Sequence, residues 1–92
     1  MINHKYIIKG RVQGVYYRKN VCDNALKESF KGYVKNLLNG DVEACVTCKK
    51  EDTERFLEIL KQGSPDSIVE KIEIFPSTLS FTEIFHIRYD EL

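Results

Sequence analysis

Two rhythms of hydrophobic positions run along this chain. In residues 4–10 the apolar Tyr6, Ile7 and Ile8 sit between polar neighbours, and 32–38, 42–49 and 67–75 carry similar short apolar runs, so each of these segments predicts a strand. Between them the period changes. Val21, Cys22, Ala25, Leu26, Ser29 and Phe30 mark one face of a helix over 18–30, and Phe56, Leu57, Ile59 and Leu60 do the same over 53–62. Asp52 or Thr53 is expected to cap the second helix, and Gly63 with Pro65 to stop it. A further strand is expected at 81–89, after a turn around Pro76, Ser77 and Thr78, with Phe81, Phe85, Ile87 and Tyr89 alternating onto one face of an edge strand.

Asn39-Gly40 lies between the second and third predicted strands and reads as a type I′ hairpin turn, which makes those strands antiparallel neighbours. The element order is therefore βαββαβ with one additional C-terminal strand. This is an α+β arrangement of the ferredoxin-like kind, a sandwich of an antiparallel sheet covered on one face by two helices. The sequence shows no repeat or linker, and 92 residues suffice for one core, so a single domain over 1–92 is expected.

Charge narrows the function classes. Lys plus Arg number 14 and Asp plus Glu number 14, so no whole-molecule field favours nucleic acid or an anionic membrane, and an anion site must be local. Lys5, Lys9, Arg11, Arg18 and Lys19 interrupt the first twenty residues, where neither a signal peptide nor a membrane span is expected. An odd count of three cysteines predicts free thiols and a cytoplasmic protein. Cys45-Val46-Thr47-Cys48 has metal-ligand spacing, but residues three apart on a strand face opposite ways, so packed thiols are expected and no metal site.

The chemistry concentrates in Gly10-Arg11-Val12-Gln13-Gly14-Val15-Tyr16-Tyr17-Arg18, a glycine-bracketed loop between a predicted strand and a predicted helix. Backbone N–H groups at such a junction, together with the helix dipole, favour a phosphate. Arg18 strengthens the reading, because a cation in the first turn of a helix opposes the dipole at ~0.3–1 kcal/mol and an anionic ligand removes that conflict. Neither a P-loop nor a dinucleotide fingerprint is present. Gln13, Gly14, Val15, Tyr16, Tyr17 and Arg18 can instead offer successive N–H groups to one phosphoryl group while the Arg18 guanidinium grips two of its oxygens.

A nucleophile or strong base is missing from the pattern. Ser29, Ser64, Ser67, Ser77 and Ser80 stand in no nucleophile elbow, and His4 and His86 read as ordinary strand side chains. Glu51, Asp52, Glu54, Glu58 and Lys61 read as a solvated face. What remains is Asn36, which either closes its strand before the Asn39-Gly40 turn or orients a water. Orientation with charge stabilisation suffices where the leaving group is already good, as in an acyl phosphate.

Gly10 to Arg18 resembles the G-[RK]-V-Q-G-V-x-[FY]-R signature of the acylphosphatase family. Gly32-Tyr33-Val34-Lys35-Asn36 with Asn39-Gly40-Asp41-Val42-Glu43 is similar to its second signature, and Gly63-Ser64-Pro65 and Phe85-His86-Ile87-Arg88 extend the likeness over most of the chain. The resemblance implies a small, monomeric, ferredoxin-like enzyme that hydrolyses the carboxyl-phosphate bond of acyl phosphates without metal or cofactor, with inorganic phosphate as product and competing ligand. It matches the family's phosphate-binding arginine to Arg18, its water-orienting asparagine to Asn36 and its phosphate-loop amides to Gln13 through Arg18. Tyr16, Tyr17 and Lys35 depart from the commoner glycine or phenylalanine and arginine, and Tyr16 bears on the mouth of the pocket.

Two other readings share this element order. Acylphosphatase-like domains also occur as binding modules within larger maturation enzymes; there, zinc-finger-like and catalytic regions are expected to follow, and this sequence ends at Leu92. An RNA-recognition domain shares the order and a Lys31-Gly32-Tyr33 start, but Lys35, Asn36 and Leu37 occupy positions where base-stacking aromatics are needed.

Overall fold

The computed structural model describes residues 1–89; residues 90–92 of the expected domain lie outside the described residues. Five strands and two α-helices follow one another as β1 (Ile2–Arg11), α1 (Tyr17–Lys27), β2 (Lys31–Asn36), β3 (Val42–Cys48), α2 (Thr53–Gln62), β4 (Ile68–Pro76) and β5 (His86–Arg88), with a 3₁₀ turn at Lys50–Asp52. The sheet order is β4-β1-β3-β2-β5. The first four strands pair antiparallel, as the ferredoxin-like reading expects. The fifth makes the sheet mixed, because β5 lies parallel to β2, with Tyr33 opposite His86 and Lys35 opposite Arg88.

Period-2 burial explains the core. Tyr6 and Ile8 of β1, Val34 of β2, and Val42, Ala44, Val46 and Cys48 of β3 form one hydrophobic cluster with Tyr17, Val21, Cys22 and Ala25 of α1 and Phe56, Ile59 and Leu60 of α2. Phe56 is its hub, with rings of Tyr6, Phe30 and Phe85 at 5.3, 5.2 and 5.7 Å. Among the described residues no helix is long and apolar enough to cross a membrane.

Several expected boundaries move. α1 stops at Lys27 rather than at residue 30, because Ser29 adopts φ +62° and closes a Schellman turn. The Ser29 N–H donates to the Leu26 carbonyl at 3.1 Å and the Phe30 N–H to the Ala25 carbonyl at 3.0 Å, which sends Phe30 into the core. Neither Asp52 nor Thr53 caps α2 through an accepting side chain; the Thr53 hydroxyl donates back to the Lys50 carbonyl at 2.8 Å. The hairpin is not type I′. Its loop is 38–40 with positive φ only at Gly40, closed by Leu37 N–H to the Asp41 carbonyl at 2.8 Å, while the Asn39 side chain accepts from the Asp41 N–H at 3.0 Å.

The last strand is also shorter than the expected 81–89. The chain leaving β4 crosses the sheet face opposite the helices, where the Phe81 N–H donates to Thr47 Oγ1 at 2.9 Å and the Phe81 ring meets Tyr33 edge-on at 5.4 Å. That crossing uses up Phe81 before pairing begins. Phe85 then enters the core, Ile87 packs against it and Tyr89 lines a cavity beside Ile87, so Phe81 is the one of the four predicted residues that lies on the other face.

Candidate active site

The predicted anion loop leaves the sheet later than expected. β1 continues through Gly10 to Arg11, and Gly10 sits at a bulge where a Cβ would come within 2.1 Å of the Ile68 carbonyl oxygen. The turn itself begins at Gly14, φ +73°, and ends at Tyr16, φ +61°, directly before α1. The first backbone bond of that helix runs from the Asn20 N–H to the Tyr16 carbonyl at 3.1 Å, so the N–H groups of residues 17–19 have no partner within the helix. No side chain caps this end and no acid stands in the first turn.

A cavity of about 390 Å³ opens in front of it, lined by Gly14, Tyr16, Tyr17, Arg18 and Lys19 together with Val12, Ile87 and Tyr89. Arg18 lies across its wall with the guanidinium carbon 5.2 Å from the centre of the exposed Tyr89 ring. The Arg18 cation and an uncompensated helix N-terminus thus face one concavity, the arrangement an anion neutralises, while the Lys19 ammonium is paired with Asp23 at 2.9 Å. Tyr17, although a lining residue, is otherwise buried in the core. Its phenol is buried and donates to the Leu60 carbonyl at 2.7 Å, and burial pushes its pKa well above the ordinary tyrosine value. Tyr16, by contrast, stands exposed at the mouth.

Gln13 and Val15 do not line the cavity. The Gln13 side-chain amide donates to two carbonyls, Leu37 at 2.8 Å and Asp41 at 2.7 Å, and so ties the loop to the β2–β3 hairpin. Beside it Lys9 pairs with Asp41 at 2.8 Å. Val15 is buried, with its carbonyl receiving the Ser64 hydroxyl at 2.6 Å. Side-chain sequence reasoning missed both braces, because each joins segments far apart in the chain.

Asn36 also stands outside the cavity lining. It ends β2, opposite Val42, one residue before the Leu37 carbonyl that Gln13 holds. Strand β5, which pairs with β2 up to Lys35–Arg88, delivers Ile87 and Tyr89 to the cavity wall. The Asn36 Oδ1 atom is buried and accepts no hydrogen bond from any described residue. A buried amide oxygen without a donor costs about 1–3 kcal/mol, so this oxygen favours a bound O–H group.

The remaining candidates fall away on contacts. His4 Nδ1 lies 3.2 Å from the Tyr6 hydroxyl and His86 Nδ1 3.0 Å from the Ile84 carbonyl. Cys45 donates to the Tyr33 hydroxyl at 3.2 Å on one sheet face while Cys48 packs into the core on the other, so the two sulfurs do not converge. Glu51, Asp52, Glu54, Glu58 and Lys61 are all exposed.

The acylphosphatase family model matches residues 4–87. The chain belongs to the acylphosphatase family. An acylphosphatase of Dehalococcoides mccartyi is 37% identical over 87 residues, 92% of this chain and 96% of that protein. The crystal structure of the acylphosphatase from Bacillus subtilis superposes with a TM-score of 0.89 at 37% identity, covering 97% of this chain and all of the other. Full-length HypF in its phosphate- and nucleotide-bound form contains a similar unit, with a TM-score of 0.81 at 30% identity over 99% of this chain but 12% of HypF. Acylphosphatases are hydrolases of acyl phosphates, and membership gives this chain that reaction class.

Proposed function

We propose that Arg18 and the N–H groups of the Gly14–Arg18 loop bind the phosphoryl group of an acyl phosphate and that Asn36 orients the water that attacks it in line. The observation that carries this reading is the pairing of an uncompensated cationic helix start with a buried, unpartnered Asn36 oxygen, coupled through the Gln13 brace. Arg18 spreads two N–H donors over equatorial oxygens, and the loop amides and helix dipole meet the remaining charge. The Asn36 oxygen accepts one water hydrogen and turns a water lone pair toward phosphorus. As the O–P bond forms, the carboxylate leaves with the electron pair of the broken bond; the water proton ends on phosphate or solvent. A carboxylate is stable without protonation, so positioning and charge stabilisation replace a strong base.

The same reading has the chain act as a monomer in a reducing compartment, which suits three buried free thiols whose pKa values burial raises. The test is hydrolysis of benzoyl phosphate, with chelator present and inorganic phosphate as competitor. Arg18→Ala is expected to lose turnover and phosphate competition together, whereas Asn36→Ala keeps phosphate competition and loses about 10²-fold in kcat. Equal loss of phosphate affinity in both variants overturns the role given to Asn36. Wild-type phosphate binding without turnover assigns the chain to binding alone.

A further inference from the structure

We propose that Ser64 is a positioning residue of the anion cradle: by holding the Val15 carbonyl it fixes the direction in which the next N–H, that of Tyr16, faces. The inference deepens the anion-binding part of the function proposed above and rests on it. Its starting point is a bond the catalytic reading leaves unused, Ser64 Oγ donating to the Val15 carbonyl at 2.6 Å across 49 residues of sequence, with Ser64 itself only 6% exposed.

A trans peptide is planar, and its C=O and N–H point in opposite directions. Drawing the Val15 oxygen toward the α2–β4 corner therefore turns the Tyr16 N–H away from that corner, on the side where Gly14 and Tyr16 line the cavity. Without the bond this peptide is a weak link. It joins Val15 to Tyr16, whose φ is +61°, and turns with positive and negative φ at such a position differ by inversion of this one peptide plane. An inverted peptide would present carbonyl lone pairs to the anion in place of a donor.

The corner is built to hold still. Ser67 Oγ accepts from the Ser64 N–H at 2.9 Å and donates to the Ser64 carbonyl at 2.8 Å. Gly63 has no Cβ, and one built there would lie 2.8 Å from the Tyr17 ring, so the corner packs directly beneath the loop. Tyr17 is anchored to the same helix end through Leu60. The residues on either side of Tyr16 are thus both pinned to the end of α2, and Tyr16 has its carbonyl gripped by Asn20, through N–H at 3.1 Å and through Nδ2 at 3.0 Å. Ser64 is the member of this set whose hydroxyl sets the peptide carrying the Tyr16 donor.

The experiment titrates inorganic phosphate by calorimetry into wild type, Ser64→Ala and Ser64→Thr, and measures KM and kcat for benzoyl phosphate alongside thermal stability. Ser64→Ala is expected to raise the phosphate Kd and the KM together by about tenfold, the scale of one buried carbonyl losing its donor, with kcat changed less because the contact serves ground and transition states alike. Ser64→Thr keeps the hydroxyl and is expected to recover most of the affinity. In ¹⁵N-labelled protein the Tyr16 amide signal should respond to phosphate in wild type and weakly in Ser64→Ala. If Ser64→Ala fails to fold, Ser67→Ala loosens the same corner and is expected to raise Kd in the same direction, by about threefold. A lower melting temperature with unchanged Kd and KM in the folded variant overturns the inference, as does an unchanged Kd in Ser67→Ala when it is the variant used. Wild type that binds no phosphate removes the cradle itself, an outcome distinct from equal binding by wild type and variant.

Discussion

The two helices begin in opposite ways. α2 starts after Glu51 and Asp52, carries Glu54 in its first turn and Lys61 in its last, and so places each charge where the dipole favours it. α1 starts on a non-glycine residue at φ +61°, has no acid in its first turn and places Arg18 and Lys19 there instead. A left-handed Tyr16 costs about 1–2 kcal/mol, and each misplaced charge adds a fraction of that. Local rules are kept where the helix only packs and broken where an anion is expected to bind, and the break is maintained by contacts from elsewhere in the fold. Ser64 and the Leu60 carbonyl, which receives the Tyr17 phenol, supply those contacts, and Asn20 adds a local one within α1.

The largest effect that tests this contrast lies at Arg18. Arg18→Glu and Arg18→Gln are both expected to abolish benzoyl phosphate hydrolysis, yet Glu is expected to give the more stable protein of the two, by ~0.3–1 kcal/mol at low salt. Both variants lose the Tyr89 ring contact, so their difference isolates the charge at the helix start. Chemical denaturation at 10 mM and 1 M salt checks it, because screening should remove the gap. A Glu variant no more stable than Gln would mean that the start of α1 is not electrostatically unfavourable to its arginine.

Gln13→Glu comes next. The substitution preserves shape but replaces two amide donations with a carboxylate facing the Leu37 and Asp41 carbonyls. kcat is expected to fall about tenfold, more than phosphate affinity, because the brace links the cradle to the strand end bearing Asn36. Phosphate competition separates the two quantities. If affinity falls as far as kcat, the brace serves the cradle alone.

Legibility in the sequence divides along the same line. α2 runs over 53–62 as predicted, since a run of acids opens it and Gly63 closes it within a few residues. α1 ends early because Ser29 takes a left-handed conformation that glycine would have announced. The hairpin was readable as a hairpin but not as its turn type: Asn39 works through its side chain rather than through positive φ. Arg18 stands in a short motif with Gly14, Tyr16 and Tyr17, and these four line one cavity, whereas Asn36, in the second motif, lies outside that lining. The jobs of the Gln13 and Ser64 side chains were not readable, since their partners lie 24 and 49 residues away and become neighbours only when the sheet and the α2–β4 corner form.

The smallest expected effect completes the contrast from the other helix. Glu54 is exposed in the first turn of α2, far in sequence from the cradle, and its carboxylate already complements the dipole. Glu54→Gln removes that charge without altering size or helix propensity much, so stability should fall by ~0.3–1 kcal/mol while kcat and KM stay at wild-type values. For a domain of this size each kcal/mol moves the melting temperature by about 4–8 °C, which makes the loss measurable at low salt. The decisive quantity is its sign relative to Arg18: adding a negative charge at the start of α1 and removing one at the start of α2 should shift stability in opposite directions by similar amounts. Equal behaviour at the two ends would show that the helices do not differ in the way their first turns imply.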